Sequence, residues 1–316
     1  MKRWLIALAL VAPALLVPTV ASSSAPAGAV QRPTCAGRPV TIDLNRAGAP
    51  DPDRRRSDVI LGTPHRDRFR TGGGDDVVCA GRGADRVLLG KGEDTAYGGP
   101  GDDFLDGGDR SDHLNGGAGG DSIWGRGGWD QLEQSGLSRG ADAVYGGAGN
   151  DTMRNATAGD LYYGGADRDF FTDAADCGSC DPAVAIFYLG GGGNDLLVSG
   201  GGKELLNGGD GSDTVSYVGL VEEPGPGVTV DLEVAAPQAT GPGGTDILQS
   251  IENLVGSSEG DDVLSGDDGP NRLAGGNGAD QLFGRGGDDD LEGGDGADLC
   301  DGGAGTNQYD GCEEST

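Results

Sequence analysis

Positive charge and aromatic side chains are both scarce in this chain. Aromatic residues make up 5% of its 316 residues, and 22 Lys and Arg stand against 52 Asp and Glu. So few aromatic residues would hardly fill a conventional two-layer core. The net charge of −30 argues against nucleic acid as a partner, because nucleic-acid-binding proteins carry basic patches.

Histidine and recognisable catalytic motifs are almost missing as well. Only His65 and His113 occur, and the H-E-x-x-H motif is absent. The G-x-S-x-G pattern occurs twice, as GLSRG (136–140) and GSSEG (256–260). With 65 glycines in the chain, two such matches are expected by chance, and neither lies at a clear strand-to-helix elbow. The sequence favours a non-enzymatic protein over the alternative of an exported hydrolase.

Glycine and aspartate dominate what is present. The 65 Gly do not form the G-x-y triplet of collagen, and 41 Asp stand against 11 Glu. A short carboxylate suits a turn beside a metal ion, whereas Glu would favour helix. A net charge this large destabilises a compact state by self-repulsion. We therefore expect a divalent cation to offset it.

A nine-residue repeat organises most of the chain. Between residues 71 and 133 each unit has early glycines, Asp at position six and an apolar residue at position eight, as in GGPGDDFLD (98–106). The position-eight residues of this block are Val78, Val87, Ala96, Leu105, Leu114, Ile123 and Leu132. The pattern restarts at residues 137, 190 and 257. A fixed period of this kind indicates a stacked, solenoid architecture.

The spacing of the repeat explains how it can fold. Two units make one turn of about 18 residues, in which glycines permit tight turns and position eight lies inward on a short strand. Turns stacked at the ~4.8 Å strand spacing bring the Asp of one turn near the carbonyls of the next. A carboxylate with carbonyl oxygens suits Ca²⁺, while Mg²⁺ demands a stricter octahedron and keeps its waters.

These units resemble the nonapeptide G-G-x-G-x-D-x-U-x of RTX (hemolysin-type) calcium-binding proteins. The resemblance implies an all-β fold, a parallel β-roll or β-solenoid with rows of Ca²⁺ between its turns, here interrupted by two insertions. The segment TDILQSIENLVGS (245–257) also resembles the spacer between repeat blocks of that family. Multiple calcium ions are the expected cofactors.

The candidate calcium ligands are the position-six aspartates, together with backbone carbonyls. They are Asp76, Asp85, Asp94, Asp103, Asp112, Asp121, Asp130, Asp142, Asp151, Asp169, Asp195, Asp213, Asp262, Asp280, Asp289 and Asp298. Weaker or doubtful sites are expected at Asp58, Asp67, Asp160, Glu204, Asn271 and Asn307. We expect the sites to begin near Asp76 and to be most regular within residues 71–133.

The sequence divides into seven segments. They are a signal peptide (1–29), an N-terminal cap with one strand at 40–44 (30–52), repeat blocks 1 and 2 (53–172), a loop insertion ending in a strand (173–189), repeat block 3 (190–216), a spacer with a strand at 228–234 (217–256), and a C-terminal repeat block with its cap (257–316).

The N-terminal segment is typical of export. A positively charged start precedes an apolar run over residues 4–17, which Pro13 interrupts and Pro18 follows. The run is too short and broken for a membrane anchor, so cleavage after Ala29, or after Ala21, is favoured. We expect a secreted, extracellular protein with no membrane span after the signal is removed.

Export permits disulfides among the six cysteines. Of the fifteen possible pairings, we expect Cys35–Cys79, Cys177–Cys180 and Cys300–Cys312. The first and last pairs would tie down the two ends of the solenoid. The sequence CGSC at 177–180 could instead be a redox motif, but such a motif normally opens a helix in a βαβ unit, and nothing here is typical of one.

The expected function is a secreted calcium-binding repeat protein that folds when Ca²⁺ binds, with a structural or surface-associated role. Besides the hydrolase, a carbohydrate-binding adhesin is an alternative. Trp124 and Trp129 fall at outward positions, where they could stack on sugars or pack between strands. A cytolysin is disfavoured because such toxins of the family carry a large hydrophobic domain ahead of the repeats. The sequence identifies no cell-surface or carbohydrate partner.

Overall fold

Every regular element in the described part of the chain is a β-strand. The computed structural model describes residues 33–46, 55–134, 140–173, 185–219, 226–242 and 244–315. These residues contain no helix, and so none that is long and apolar enough to cross a membrane. The expected signal peptide, the Cys177–Cys180 pair and most of the GLSRG motif lie outside the described residues.

The strands follow one another at short intervals along the chain. In order they are β1 Thr34–Cys35, β2 Arg38–Pro39, β3 Ile42–Asp43, β4 Val59–Leu61, β5 Arg68–Gly73, β6 Val77–Cys79, β7 Arg86–Lys91, β8 Thr95–Pro100, β9 Phe104–Asp109, β10 His113–Ala118, β11 Ser122–Gly127, β12 Gln131–Glu133, β13 Ala143–Ala148, β14 Thr152–Ala156, β15 Leu161–Ala166, β16 Phe170–Asp173, β17 Ile186–Gly193, β18 Leu196–Val198, β19 Glu204–Gly211, β20 Thr214–Ser216, β21 Thr229–Asp231, β22 Gln238–Gly241, β23 Gly244–Gln249, β24 Asn253–Val255, β25 Val263–Ser265, β26 Arg272–Asn277, β27 Gln281–Phe283, β28 Asp290–Asp295, β29 Leu299–Asp301, β30 Gln308–Asp310 and β31 Glu314–Ser315.

Alternate strands go to opposite faces of a solenoid. One face is a single 14-stranded sheet, which we call the long sheet, with the order β3-β4-β6-β8-β10-β12-β14-β16-β18-β20-β24-β26-β28-β30. The other face consists of a ten-stranded sheet, β22-β23-β19-β17-β15-β13-β11-β9-β7-β5, and a five-stranded sheet, β21-β25-β27-β29-β31. All neighbours along these faces pair in parallel except β22 and β23. The expected parallel β-roll is confirmed.

Position eight of each unit supplies the core. Leu114 pairs with Ala96 on one side and Leu132 on the other, so position eight stacks on position eight in successive turns. All three side chains are fully buried. Burying one Leu contributes roughly 1.5–3 kcal/mol, so a narrow core gains stability by adding turns. The expectation that these residues face inward is confirmed.

Many strands extend past position eight into the glycines of the next unit. Strand β8 runs from Thr95 through the first three residues of the next unit to Pro100, and its pairing with β10 continues to Pro100 and Ala118. Glycine amides and carbonyls therefore join the sheet ladder before the chain turns.

The spacer interrupts only the face opposite the long sheet. Strand β24 continues the long sheet between β20 and β26, whereas β22 folds back antiparallel on β23 and β21 begins the five-stranded sheet. Strand β21 ends at Asp231, well before the predicted residue 234. The Asp231 carboxylate accepts the backbone N–H of Glu233 at 2.9 Å and turns the chain.

The N-terminal cap is a hairpin followed by one strand of the long sheet. Strands β1 and β2 pair antiparallel, and β3 pairs with β4. The strand expected at 40–44 is reduced to Ile42–Asp43, because the Asp43 carboxylate accepts the Asn45 N–H and turns the chain. Disulfides join Cys35 to Cys79 and Cys300 to Cys312, so each end of the described solenoid is cross-linked.

Candidate functional site

The position-six residues line two edges of the solenoid, each directly before a strand. Edge 1 consists of the turns that enter the long sheet, and edge 2 of the turns that enter the opposite sheets. Edge 1 carries Asp76, Asp94, Asp112, Asp130, Asp151, Asp169, Asp195, Asp213 and Asp289, and edge 2 carries Asp85, Asp103, Asp121, Asp142, Asp262, Asp280 and Asp298. The candidate residues therefore form two separate columns.

One carboxylate oxygen of each aspartate holds the neighbouring turn. The N–H of Asp94 donates to Oδ1 of Asp112 at 2.8 Å, and the N–H of Asp103 donates to Oδ1 of Asp121 at 2.8 Å. Both bonds join residues 18 positions apart. Three extra residues (134–136) stand just before the pattern restarts at residue 137. Across this insertion, the N–H of Asp121 donates to Oδ1 of Asp142 by the same kind of bond, which here spans 21 positions. This oxygen is structural, because it fixes the orientation of the carboxylate.

The other carboxylate oxygen is buried and unpaired. Among the described residues, Oδ2 has no hydrogen-bond partner in fifteen aspartates, which are Asp76, Asp85, Asp94, Asp103, Asp112, Asp121, Asp130, Asp142, Asp151, Asp169, Asp195, Asp213, Asp280, Asp289 and Asp298. Native proteins leave few buried polar atoms unsatisfied, and each such atom needs an explanation. All fifteen belong to the sixteen aspartates that the repeat pattern selected.

The unpaired oxygens face other oxygens across a glycine. A Cβ on Gly98 would fall on Asp103 Oδ2 and on the carbonyl oxygen of Gly116, one turn further. Position one must be glycine here because a side chain would occupy this space. Two acceptors side by side repel each other unless a cation lies near both. The glycine-lined space between these acceptors thus suits a metal ion.

Burial makes these carboxylates poor anions when no cation is near. Burial raises the pKa of Asp112 from its ordinary value of 3.8 to about 8, against the lowering effect of the Asp94 N–H, and the charges of Asp130 and Asp94 raise it further. The same causes raise the pKa of Asp103 to about 7 and that of Asp169 to about 8. Each buried carboxylate needs either a proton or a cation.

The oxygen chemistry of the edges suits a hard cation. In the described ranges, no three side chains of His, Cys, Asp or Glu converge on one point. A metal shell must therefore combine isolated carboxylate oxygens with backbone carbonyls. Ca²⁺ takes six to eight such ligands in flexible geometry, whereas Mg²⁺ requires a near-ideal octahedron and soft metals require Cys or His.

Asp262 differs from the other fifteen candidates. Its Oδ2 accepts the N–H of Ser257 at 2.8 Å, and its Oδ1 accepts the hydroxyl of Ser257 and the N–H of Val228. Val228 comes from the spacer and lies one turn before Asp262 on this face. Oδ2, which is unpaired in the other fifteen candidates, therefore has a donor at Asp262, where the spacer joins the last repeat block.

The positions expected to be weak already have hydrogen-bond donors. Oδ2 of Asp67 accepts the N–H and hydroxyl of Thr63, and Oδ2 of Asp160 accepts the same two groups of Thr157. The Asn271 side chain accepts the N–H of Asp267 and donates to a backbone carbonyl. At Asp67 and Asp160 a threonine donates to the second carboxylate oxygen, and at residue 271 an amide replaces the carboxylate. These three positions therefore lack the unpaired oxygen of the candidate sites.

Two position-six residues lie inside the spacer and escaped the sequence analysis. Asp246 lies within β23 and accepts the N–H of Glu204 at 3.2 Å, and Glu252 precedes β24 and accepts the N–H of Asp213 at 2.8 Å. The signal was present in TDIL and IENL, where an acid stands two residues before a buried Leu. It was hidden because these two acids are six positions apart instead of nine.

Glu204 and Asp246 form a buried polar cluster instead of an open site. The Asp246 carboxylate accepts the hydroxyls of Thr240 at 2.9 Å and Tyr217 at 3.2 Å, and Glu204 accepts the hydroxyl of Ser199 at 3.1 Å. Burial raises the pKa of Asp246. Hydroxyl donors thus reach both carboxyl groups, and the departure at Glu204 has a structural role.

A comparison with family models supports the same interpretation. The model of the RTX calcium-binding nonapeptide repeat, which covers four copies of the unit, matches residues 55–87, 81–109, 106–133, 138–155, 187–215, 257–291 and 275–309. These segments cover more than half of the chain. No curated protein matches the chain in sequence.

Proposed function

Because the chain belongs to the family of RTX calcium-binding nonapeptide-repeat proteins, we propose that it is a secreted, non-enzymatic protein that folds when calcium binds. Several calcium ions are its cofactors, in keeping with the columns of buried aspartates. One observation carries the assignment of the ligands. The fifteen buried Oδ2 atoms without a donor in the described structure coincide with the pattern's own aspartates.

The two carboxylate oxygens have different tasks in this proposal. Oδ1 accepts the N–H of the turn before and orients the carboxylate, as between Asp85 and Asp103 at 2.7 Å. Oδ2 of Asp103 and the carbonyl of Gly116 face the space beside Gly98 and supply oxygen ligands. The bound ion neutralises charge that the apolar interior would otherwise penalise. At Asp262 an ion would have to displace Ser257.

Asp103→Asn is expected to remove at least one bound calcium ion. The amide keeps an oxygen for the Asp85 N–H but lacks the negative charge that faces the Gly116 carbonyl. The matched control is Asp102→Asn, because Asp102 is the exposed neighbour and accepts the N–H of Gly120 at 3.1 Å. Native mass spectrometry counts the ions on each variant. Equal ion counts for the two variants would contradict the assignment.

Export is the second part of the proposal. Its support is the charged start and apolar run of residues 1–29, together with two disulfides of the kind that persist in oxidising compartments. We expect the protein in the culture medium to begin at Ser22 or Val30. N-terminal sequencing of the recovered protein checks this, and an intact Met1 on protein retained inside the cell would contradict it.

The alternative of an exported hydrolase gains no support at GSSEG. Ser258 lies in a bend, and its Oγ accepts the N–H of Gly219 at 3.3 Å. Ser257 donates its hydroxyl to Asp262. Both histidines lie in the first repeat block, where His113 is near Glu133 on the outer surface of the long sheet. These contacts favour structural roles for both serines and for His113.

Of the two outward tryptophans, Trp124 is engaged in packing. The Trp124 ring stacks on Tyr145 with centroids 4.1 Å apart, and the Arg126 guanidinium lies 4.5 Å from its centre. Its indole N–H donates to Ser122. Trp129 projects outward with 68% exposure. The Trp124 contacts favour cross-strand packing over an adhesin role.

A further inference from the structure

Gln134 is a buried amide that nothing in the repeat pattern explains. It stands 18 residues after Gly116, at position one of the turn that contains the insertion. The side chain is 1% exposed, and neither its oxygen nor its nitrogen has a hydrogen-bond partner in the described structure. An unsatisfied buried polar group costs about 1–3 kcal/mol, so two such atoms in one side chain require a ligand.

The Gln134 side-chain oxygen and the orphaned oxygen of Asp121 lie beside the same point next to Gly116. A Cβ on Gly116 would lie 2.5 Å from Asp121 Oδ2 and 2.7 Å from Gln134 Oε1. One turn earlier, the corresponding point beside Gly98 is flanked by Asp103 Oδ2 and the Gly116 backbone carbonyl. The side-chain oxygen of Gln134 thus takes the place that a glycine carbonyl has in the preceding turn.

The backbone of Gln134 is occupied by the turn that follows. Its carbonyl accepts the side-chain N–H of Asn155 at 2.9 Å, and its N–H donates to Arg154 at 3.3 Å. The turn from Gln134 to Asp142 is three residues longer than the regular turn. The side chain reaches back toward Asp121 while the backbone is held by the next turn.

From this geometry we propose that Gln134 Oε1 is a calcium ligand, which completes the site of Asp121 at the insertion. Asn and Gln carbonyl oxygens are ordinary Ca²⁺ ligands, and a cation between Oε1 and Oδ2 satisfies both acceptors at once. The inference rests on the proposed function. It adds that the calcium column on edge 2 continues through the insertion by means of a side chain.

A hydrogen bond is the competing explanation. If the amide is turned over, its nitrogen would donate to Asp121 Oδ2 and close the site without an ion, and amide orientation is assigned from its surroundings. The two arrangements respond oppositely to Gln134→Glu. A carboxylate at residue 134 can still bind calcium, but it cannot donate to Asp121 and would repel it.

The test compares two substitutions in the full chain at saturating calcium. Gln134→Met keeps the length and volume of the side chain but removes its oxygen, and we expect one bound ion fewer than in the parent by native mass spectrometry. Gln134→Glu is expected to keep the parent ion count, with that site binding at least as tightly in a competition with a chelator. Gln131→Met, at the exposed first position of strand β12, is the matched control and is expected to change nothing.

Each outcome decides between the explanations. A Gln134→Met variant that binds as many ions as the parent, or a Gln134→Glu variant that loses one, would overturn the role of Gln134. If Gln134→Met does not fold, the Gln134→Glu count alone still separates a ligand from a donor. A parent chain that binds no calcium would overturn the proposed function as a whole, which is a different result from a parent that binds ions unaffected by residue 134.

Discussion

In a chelator at pH 8, the chain is expected to lose most of its β-structure. Without calcium, up to fifteen buried Oδ2 atoms lack a partner in the described residues, and successive carboxylates stack at the ~4.8 Å strand spacing. A buried charge without a partner destabilises a protein by about 3–5 kcal/mol. Total domain stability is about 5–15 kcal/mol, so a few such groups exceed it.

Circular dichroism during a calcium titration measures this transition. Magnesium at the same ionic strength is the control, because it screens charge equally but fits the carbonyl-rich shell poorly. We expect β-structure to return with Ca²⁺ and not with Mg²⁺. Equal recovery with both ions, or full structure in the chelator, would contradict the proposal. The Cys35–Cys79 and Cys300–Cys312 bonds should keep the two ends constrained in either state.

Lowering the pH in the chelator should partly replace calcium by protons. Asp112 has a pKa of about 8 in the folded chain and an ordinary value of 3.8 when unfolded. Between these values the folded state binds a proton that the unfolded state has released, so stability falls as pH rises. The stability is fully present below about pH 4 and is lost as pH rises through about 8. A metal-free chain equally folded at pH 5 and pH 8 would contradict this.

Much of the fold could be predicted because each repeat position has one physical task. Position eight is apolar because it faces the core, as Leu105 and Leu114 do. Position six is Asp because its two carboxylate oxygens have different surroundings. One accepts a backbone N–H of the turn before, and the other is unpaired and borders the glycine-lined space. A nine-residue period that fixes both the core residue and the acid restricts the fold to a stack of turns. The β-roll and its buried aspartates therefore follow from the pattern.

The continuity of the two columns could not be predicted, because the sequence interleaves them. On edge 1, Asp169 donates to Asp195 at 2.7 Å across 26 positions, so the column continues through a break in the repeat. On edge 2, the free oxygen is lost at Asp160. Along edge 1, the unpaired Oδ2 recurs without a break from Asp76 to Asp213 in the described structure. That the most regular calcium sites lie within residues 71–133 stays a prediction.

The turns depend on close approach of the backbone as much as on calcium. Gly191 and Gly192 are neighbours in β17, yet they differ in what an added side chain would meet. Gly191 has φ +111°, and its Cβ would fall on the carbonyl oxygen of Gly165 in the turn before. At Gly192 the nearest atom is 4.0 Å away, and its partner across the ladder is Ala166.

Gly191→Ala is therefore expected to destabilise the calcium-loaded chain by roughly 2–5 kcal/mol, the sum of left-handed backbone strain and overpacking. Gly192→Ala should change the free energy of unfolding by less than about 1 kcal/mol, with any gain coming from lower entropy of the unfolded chain. Urea unfolding at saturating calcium measures both. Equal midpoints would mean that the turns tolerate a Cβ at position two. That result would remove the steric reason for glycine there and leave calcium binding as the only constraint on the turn.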